Sequence, residues 1–248
     1  MKLQQYADYL VGWLEEQRQF YGAKGYVIGI SGGIDSAVVT HLLVRTGAPV
    51  QGLILPSETT SAQDIADAVA VANSADCPGI EVPISETYRT FMQSMKPLFC
   101  DDAERQNVIA GNVQARLRMV ALYACAQNRQ AIVVGTDNAA EWHTGYFTKF
   151  GDGGVDVVPL VQLRKEQVFE LGRLLTVPQS VLDKAPSAGL WQGQTDESEM
   201  GVSYAEIDAF LRGESVSPQA QKQIDFWHNR SHHKRMLAPA PKKFVENG

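Results

Sequence analysis

Cysteine is scarce in this chain of 248 residues, which has only Cys77, Cys100 and Cys125. Three thiols at spacings of 23 and 25 residues form neither a C-x-x-C pair nor a disulfide framework. Free thiols in a reducing compartment follow, so the cytoplasm is the expected location. Long apolar runs are lacking too. None approaches the roughly 20 residues that span a bilayer, and no membrane association is expected. The N-terminal segment carries Asp8, Glu15 and Glu16 inside its apolar pattern, unlike a signal peptide. Positive charge is in deficit: 22 Lys and Arg stand against 28 Asp and Glu, a net charge of −6. Phosphate backbones and anionic lipid demand clustered positive charge, so nucleic acid is not an expected partner, although a local basic pocket remains compatible. In a cytoplasmic chain the acceptor-like Asn229-Arg230-Ser231 is chance.

What is present is ordinary for a folded globular chain, with 44% hydrophobic and 20% charged residues. Strands and helices alternate. Leu3, Tyr6, Leu10, Trp13 and Leu14 recur at helical spacing over 3–20. Tyr26–Ile30, Val50–Leu55 and Ala131–Gly135 are short continuous apolar runs, the pattern of strands buried on both faces, and Gly79–Ile84 is a weaker one. Helices are expected after Ser36, from Ser61 to about Asn73 behind a capping-box-like Ser-x-x-Asp, and over Glu104–Asn128. Further helices are expected near Arg164–Leu175, Tyr204–Leu211 and Pro218–His232. Residues 136–160 and Lys184–Met200 read as loops, and a tail begins at about 238. No internal repeat or linker is visible, so one domain is expected over 1–248. The fold class is α/β: a doubly wound, mostly parallel sheet with helices on both faces. Ligands of such sheets bind beyond the C-terminal strand ends, where Ser31–Ser36 and Thr136–Asp156 should lie.

The segment Gly29-Ile30-Ser31-Gly32-Gly33-Ile34-Asp35-Ser36 joins the first strand to a helix. Its glycines allow a tight turn, and the helix start that follows is an anion site. No Lys completes a G-x-x-x-x-G-K-[ST] loop, and G-x-G-x-x-G is absent. Asp35 conflicts with bare phosphate unless Mg2+ bridges the two. Lys165 near a helix start is electrostatically unfavourable without an anion nearby. Trp142 and Phe147 either stack on a ligand ring or anchor the loop. His228 and His232 share an i,i+4 spacing, but Lys234 and Arg235 oppose a cation there.

S-G-G-x-D-S after the first strand resembles the signature of the PP-loop ATP pyrophosphatases. Within that group the chain resembles the NAD synthetases. The shared blocks are Gly111-Asn112-Val113-Gln114-Ala115-Arg116-Leu117-Arg118-Met119, Gly135–Glu141, Thr144–Asp152, Lys184–Glu197 and His233-Lys234-Arg235. They cover about residues 20–237 in the family's order. The resemblance implies ammonia-dependent amidation of deamido-NAD, with ATP and Mg2+ as cofactors. It implies that Gly29, Ile30, Ser31, Gly32, Gly33, Ile34, Asp35 and Ser36 cradle ATP, with Thr136, Lys165 and Ser187 as further ATP contacts. Asp35 and Glu141 would hold the metal, and Asp35 and Lys165 would be catalytic. Arg116, Lys149, Asp156, His233 and Lys234 would contact deamido-NAD. A homodimer is implied too, with the 104–128 helix as a candidate interface. The phosphate loop begins near residue 29, which leaves no room for an N-terminal glutaminase and points to the ammonia-dependent type. Against a tRNA-thiolating relative stand the cysteine spacings and the negative charge.

Overall fold

The computed structural model describes residues 3–99, 102–184 and 196–243. Four parallel strands form its sheet: β1 Gly25–Gly29, β2 Val50–Ile54, β3 Gly79–Glu81 and β4 Ala131–Val134, in the order β3-β2-β1-β4. The register pairs Ile28 with Gly52 on one side and with Val134 on the other. A parallel bridge from Val134 to Val157 extends the sheet beyond β4. The chain winds from β1 outward through β2 to β3, then returns to place β4 on the far side of β1. The switch point therefore lies between the ends of β1 and β4, where open α/β sheets bind ligands.

Side chains alternate between the two faces of each strand. Tyr26, Ile28, Ile54, Ile132 and Val134 face a core built with α1 Leu3–Phe20, α2 Ile34–Arg45, α3 Ala62–Ser74 and α7 Lys165–Leu174. Val27, Leu53, Leu55 and Val133 face Leu117, Leu122 and Ala126 of α5 Ala103–Arg129. Both faces are covered, which explains why the strands read as continuous apolar runs. A third cluster, Met200, Val202, Tyr204, Ile207, Ala220 and Ile224, binds α6 Ala139–Thr144 to α10 Tyr204–Leu211 and α11 Pro218–Arg230. Among the described residues no helix is long and apolar enough to cross a membrane.

Most expected elements appear within a residue or two. The strand expected over Gly79–Ile84 ends at Glu81, although the Val82 and Ile84 N–H groups still donate to the Ile54 and Pro56 carbonyls. Helix α4, Ser85–Met95, was not foreseen, although Tyr88, Phe91, Met92 and Met95 recur on it at helical spacing; none of its residues is buried. The loop expected over 136–160 contains α6, started by a capping box of Asn138 and Glu141. Within Lys184–Met200, Asp196–Met200 forms helix α9, and 185–195 lie outside the described residues. The last helix, α11, stops at Arg230, and His232–Arg235 form a 3-10 turn. The capping box expected at Ser61 and Asp64 is present. Cys77 is buried and Cys125 half-buried, both with free thiols.

Candidate active site

The turn after β1 is built from its backbone. Gly32 has φ +77°, and a Cβ there would lie 2.5 Å from the Asp64 carbonyl oxygen, so only glycine fits. Ser36 Oγ donates to the Gly33 carbonyl at 3.0 Å and accepts from Ser31 N–H at 3.2 Å, stapling the loop shut. Ile30 and Ile34 are buried in the main core, which leaves their backbone to face a ligand. The N–H groups of Ile34, Asp35 and Ser36 open α2 and have no intrahelical acceptor.

Helix α7 brings Lys165 to this loop. A Cβ on Gly172 would stand 2.6 Å from Ile34 Cδ1, so this glycine lets α7 close onto α2. Lys165 Nζ then lies 2.6 Å from Asp35 Oδ2 and 3.2 Å from Glu141 Oε1, with its side chain only 4% exposed. Burial opposes the charge, but Asp35 and Glu141 outweigh it and hold the ammonium pKa above its ordinary value. The unfavourable helix start is resolved from another element. Asp208 of α10 accepts from the N–H groups of Lys165 and Glu166 at 3.1 and 2.9 Å. The Tyr204 ring lies 4.6 Å below the ammonium, and its hydroxyl oxygen is 3.1 Å from Glu141 Oε1.

Asn138 is fully buried and sits at the centre of this group. Its Nδ2 donates to Asp35 Oδ1 at 2.9 Å, while its Oδ1 accepts from Ala140 and Glu141 N–H. Glu141 Oε2 in return accepts Asn138 N–H, so Glu141 caps α6 with one oxygen and meets Lys165 with the other. Burial pushes the Glu141 carboxyl up to about 7, against the pull of Lys165. Behind it Asp137 is held well above the ordinary carboxylate range by burial and by Asp152, and its Oδ2 has no partner among the described residues. Sequence reasoning missed Asn138, Tyr204 and Asp208. The Asn-x-x-Glu spacing of a capping box could have found Asn138; the other two arrive from a distant helix.

The residues expected to meet the dinucleotide fall into a second group. Arg116 of α5 is exposed and donates to the Lys149 carbonyl at 3.2 Å. Lys149 Nζ donates to the carbonyls of His233 and Met236, and Lys234 Nζ donates to those of Gly145 and Phe147. The structure thus joins Arg116, Lys149, His233 and Lys234 in one strip, with the His233 side chain exposed. Asp156 stands apart from it, beside β4. Its Oδ2 accepts Val133 N–H at 2.7 Å, and its Oδ1 accepts the Tyr123 hydroxyl at 3.0 Å. Thr136 is half-buried at the end of β4, and Ser187 lies outside the described residues. Trp142 and Phe147 stack on each other at 5.5 Å and anchor the loop. His228 does not pair with His232. It stacks on His143 and points Nδ1 at the His143 carbonyl.

Asp35 and Glu141 offer two hard oxygen donors from opposite sides of the switch point. Among the described residues no group of three or more His, Cys, Asp or Glu is arranged to hold a metal by itself. Two carboxylates completed by phosphate oxygens and water are the donor set that suits Mg2+.

A parallel sheet with a glycine-rich anion loop and a carboxylate pair at its switch point defines a nucleotide-binding α/β protein. The NAD synthase family model matches residues 6–238. An NH(3)-dependent NAD(+) synthetase of Mannheimia succiniciproducens is 66% identical over 98% of this chain and 97% of its own length. One from Alkaliphilus oremlandii is 46% identical over 97% of this chain and 98% of its own length. Among solved structures, the NMN synthetase of Francisella tularensis is 53% identical, covers 98% of this chain and 100% of its own, and superposes with a TM-score of 0.93. The chain belongs to the NAD synthase family.

Proposed function

We propose that the cluster of Asp35, Glu141, Asn138 and Lys165 is where this ligase activates a carboxylate with ATP. The reaction is ATP-dependent amidation of deamido-NAD by ammonia, which yields NAD, AMP and pyrophosphate. A carboxylate oxygen attacks the α-phosphorus of ATP, and pyrophosphate leaves with the electron pair of the broken P–O bond. Ammonia then attacks the acyl carbon, AMP departs, and the nitrogen loses a proton. A bare carboxylate resists ammonia because it is anionic and lacks a good leaving group; adenylation supplies one. The protein's share is positioning and charge stabilisation.

The observation that carries this reading is the buried Lys165 ammonium set between two carboxylates at the strand ends. The N–H groups of the Gly29–Ser36 loop hold the phosphates, with Thr136 and Ser187 as hydroxyl contacts. Asp35 and Glu141 would hold Mg2+, which when bound neutralises charge on the leaving pyrophosphate. Asn138 keeps both carboxylates in place. Lys165 balances the two acids and is the point charge for the polyphosphate. Arg116, Lys149, His233 and Lys234 line the strip for the dinucleotide's phosphates and carboxylate; Asp156, apart from it beside β4, is the remaining candidate contact. We place the reaction in the cytoplasm and expect a homodimer through α5, where Val108 and Val120 are exposed; equilibrium sedimentation at micromolar concentration should return twice the chain mass.

A second substrate is favoured by one observation, the 53% identity and TM-score of 0.93 to an NMN synthetase. It is the mononucleotide counterpart, nicotinate mononucleotide, with the same carboxylate and the same two steps. One assay tests both readings. Purified protein, ATP and Mg2+ receive either acid with ammonium or with glutamine, and amide product and pyrophosphate are followed by chromatography. Product from ammonium and deamido-NAD is expected. A higher kcat/KM on the mononucleotide would make that the preferred substrate. Absence of pyrophosphate release with either acid would refute the assignment.

A further inference from the structure

Beside the phosphate loop, away from the carboxylate pair, lies a second, half-buried ion cluster. Lys184 follows α8, Gln179–Leu182, in the chain. Its ammonium reaches three acceptors on two other elements: Asp64 Oδ1, Asp67 Oδ2 at 3.5 Å and the Gly32 carbonyl oxygen at 3.4 Å. The Asp64 contact is the close one, and those to Asp67 and Gly32 are long. Both acids belong to α3 and are themselves fixed. Asp64 Oδ2 is the capping-box acceptor for Ser61, and Asp67, 2% exposed, accepts from Gln63 on its other oxygen.

The contact with Gly32 has a geometric consequence. In a trans peptide the carbonyl and the following N–H point in opposite directions. Drawing the Gly32 carbonyl toward α3 turns the Gly33 N–H into the hollow of the loop. Among the described residues it meets only Ser31 Oγ there, at 3.3 Å, a weak contact that an anionic oxygen would improve on. The Gly32 conformation, at φ +77°, is one that glycine leaves freely unless it is held. We propose that Lys184 is a positioning residue for ATP: its hydrogen bond to the Gly32 carbonyl presets the Gly32–Gly33 peptide so that the Gly33 N–H faces the phosphates. The proposal rests on the reading of Gly29–Ser36 as the ATP loop. In this role Lys184 acts through the Gly32 carbonyl and not by contact with the nucleotide.

The test compares Asp67→Asn with Lys184→Met/Asp67→Asn. The single variant keeps the donor to Gly32, and the double variant removes it without leaving Asp67 as an unpaired buried charge. Initial rates give KM for ATP and for ammonium, and pyrophosphate release is followed in a single turnover. Relative to the single variant, the double variant should raise KM for ATP about tenfold, the size of one hydrogen bond from a charged group. KM for ammonium should not move. Equal ATP KM values in the two variants, or equal shifts in both KM values, would overturn the role of Lys184. If the double variant does not fold, Lys184→Asn in the Asp67→Asn background serves instead: its amide keeps a polar group at the position but is two bonds too short to reach the Gly32 carbonyl, so KM for ATP should again rise alone, and an unchanged value would overturn the proposal. Wild-type protein that releases no pyrophosphate would instead remove the ATP-loop reading itself.

Discussion

The phosphate loop and the dinucleotide strip are built in opposite ways. Gly29–Ser36 spans eight consecutive residues, and its shape comes from Gly32, the Ser31–Ser36 staple and the start of α2. The strip is assembled from α5, the 142–152 segment and the 3-10 turn at 232–235. It is tied by side chains that donate to backbone carbonyls more than 30 residues away. Gly145, at φ +67°, packs where a Cβ would collide with Ser231. Arg235 donates to the carbonyls of Trp142, His143 and His228 and closes the join. A local loop has few distant ties to lose, the Lys184 contact with Gly32 being one. A strip made of long-range ties loses its geometry when one distant tie is cut.

The largest expected effect lies on the local side. Asp35→Asn should lower kcat by about a thousandfold, the scale of losing one preorganised charge, while the melting temperature changes little. A folded variant with wild-type turnover would remove Asp35 from the mechanism. Asn138→Ala tests the point where the two regions meet. It cuts the tie to Asp35 and the cap of α6, so both turnover and stability should fall, the latter by about 1 kcal/mol in urea titration. Unchanged turnover would show that Asp35 is held without it.

Arg235→Gln cuts only the strip. The guanidinium donates to three carbonyls, so KM for the dinucleotide should rise by at least about tenfold with KM for ATP steady. If KM for ATP rises in step, the two regions are not independent. The smallest effect concerns His143, which lies in the join. Burial, then His228 and Arg235, lower its pKa from 6.5 to about 4. As pH falls through 6.5 the unfolded chain takes up a proton that the folded chain refuses until about 4, so stability declines across that window. Replacing His143 with Gln should flatten the decline between pH 7 and pH 5. An equally steep slope in urea midpoints would place the proton elsewhere.

The contrast also explains what could be read in advance. The strands, the phosphate loop and the helix behind Ser61 were legible because each depends on residues a few positions apart. Asp35, Glu141 and Lys165 could be named singly, but their common meeting point at the Lys165 ammonium could not. Arg118, inside a recognised block, turns from the strip altogether and donates to the Leu55 carbonyl. Helix α4 was missed although Tyr88, Phe91, Met92 and Met95 give it a helical period, and the structure leaves that stripe without a buried residue.

Amino-acid order alone determined the alternation of strands and helices, the anion loop and its glycine, and the family to which the blocks point. The first two rest on backbone conformation and periodic burial, which act over a few residues; the family rests on the resemblance of the motif blocks. The tertiary structure decided the rest. It set the charge balance of Lys165 between two acids, the cap that Asp208 supplies to α7, and the hold of Lys184 on Gly32. These are contacts across 40 to more than 150 positions of chain, and only the packing of helices on both faces of the sheet brings such partners within reach.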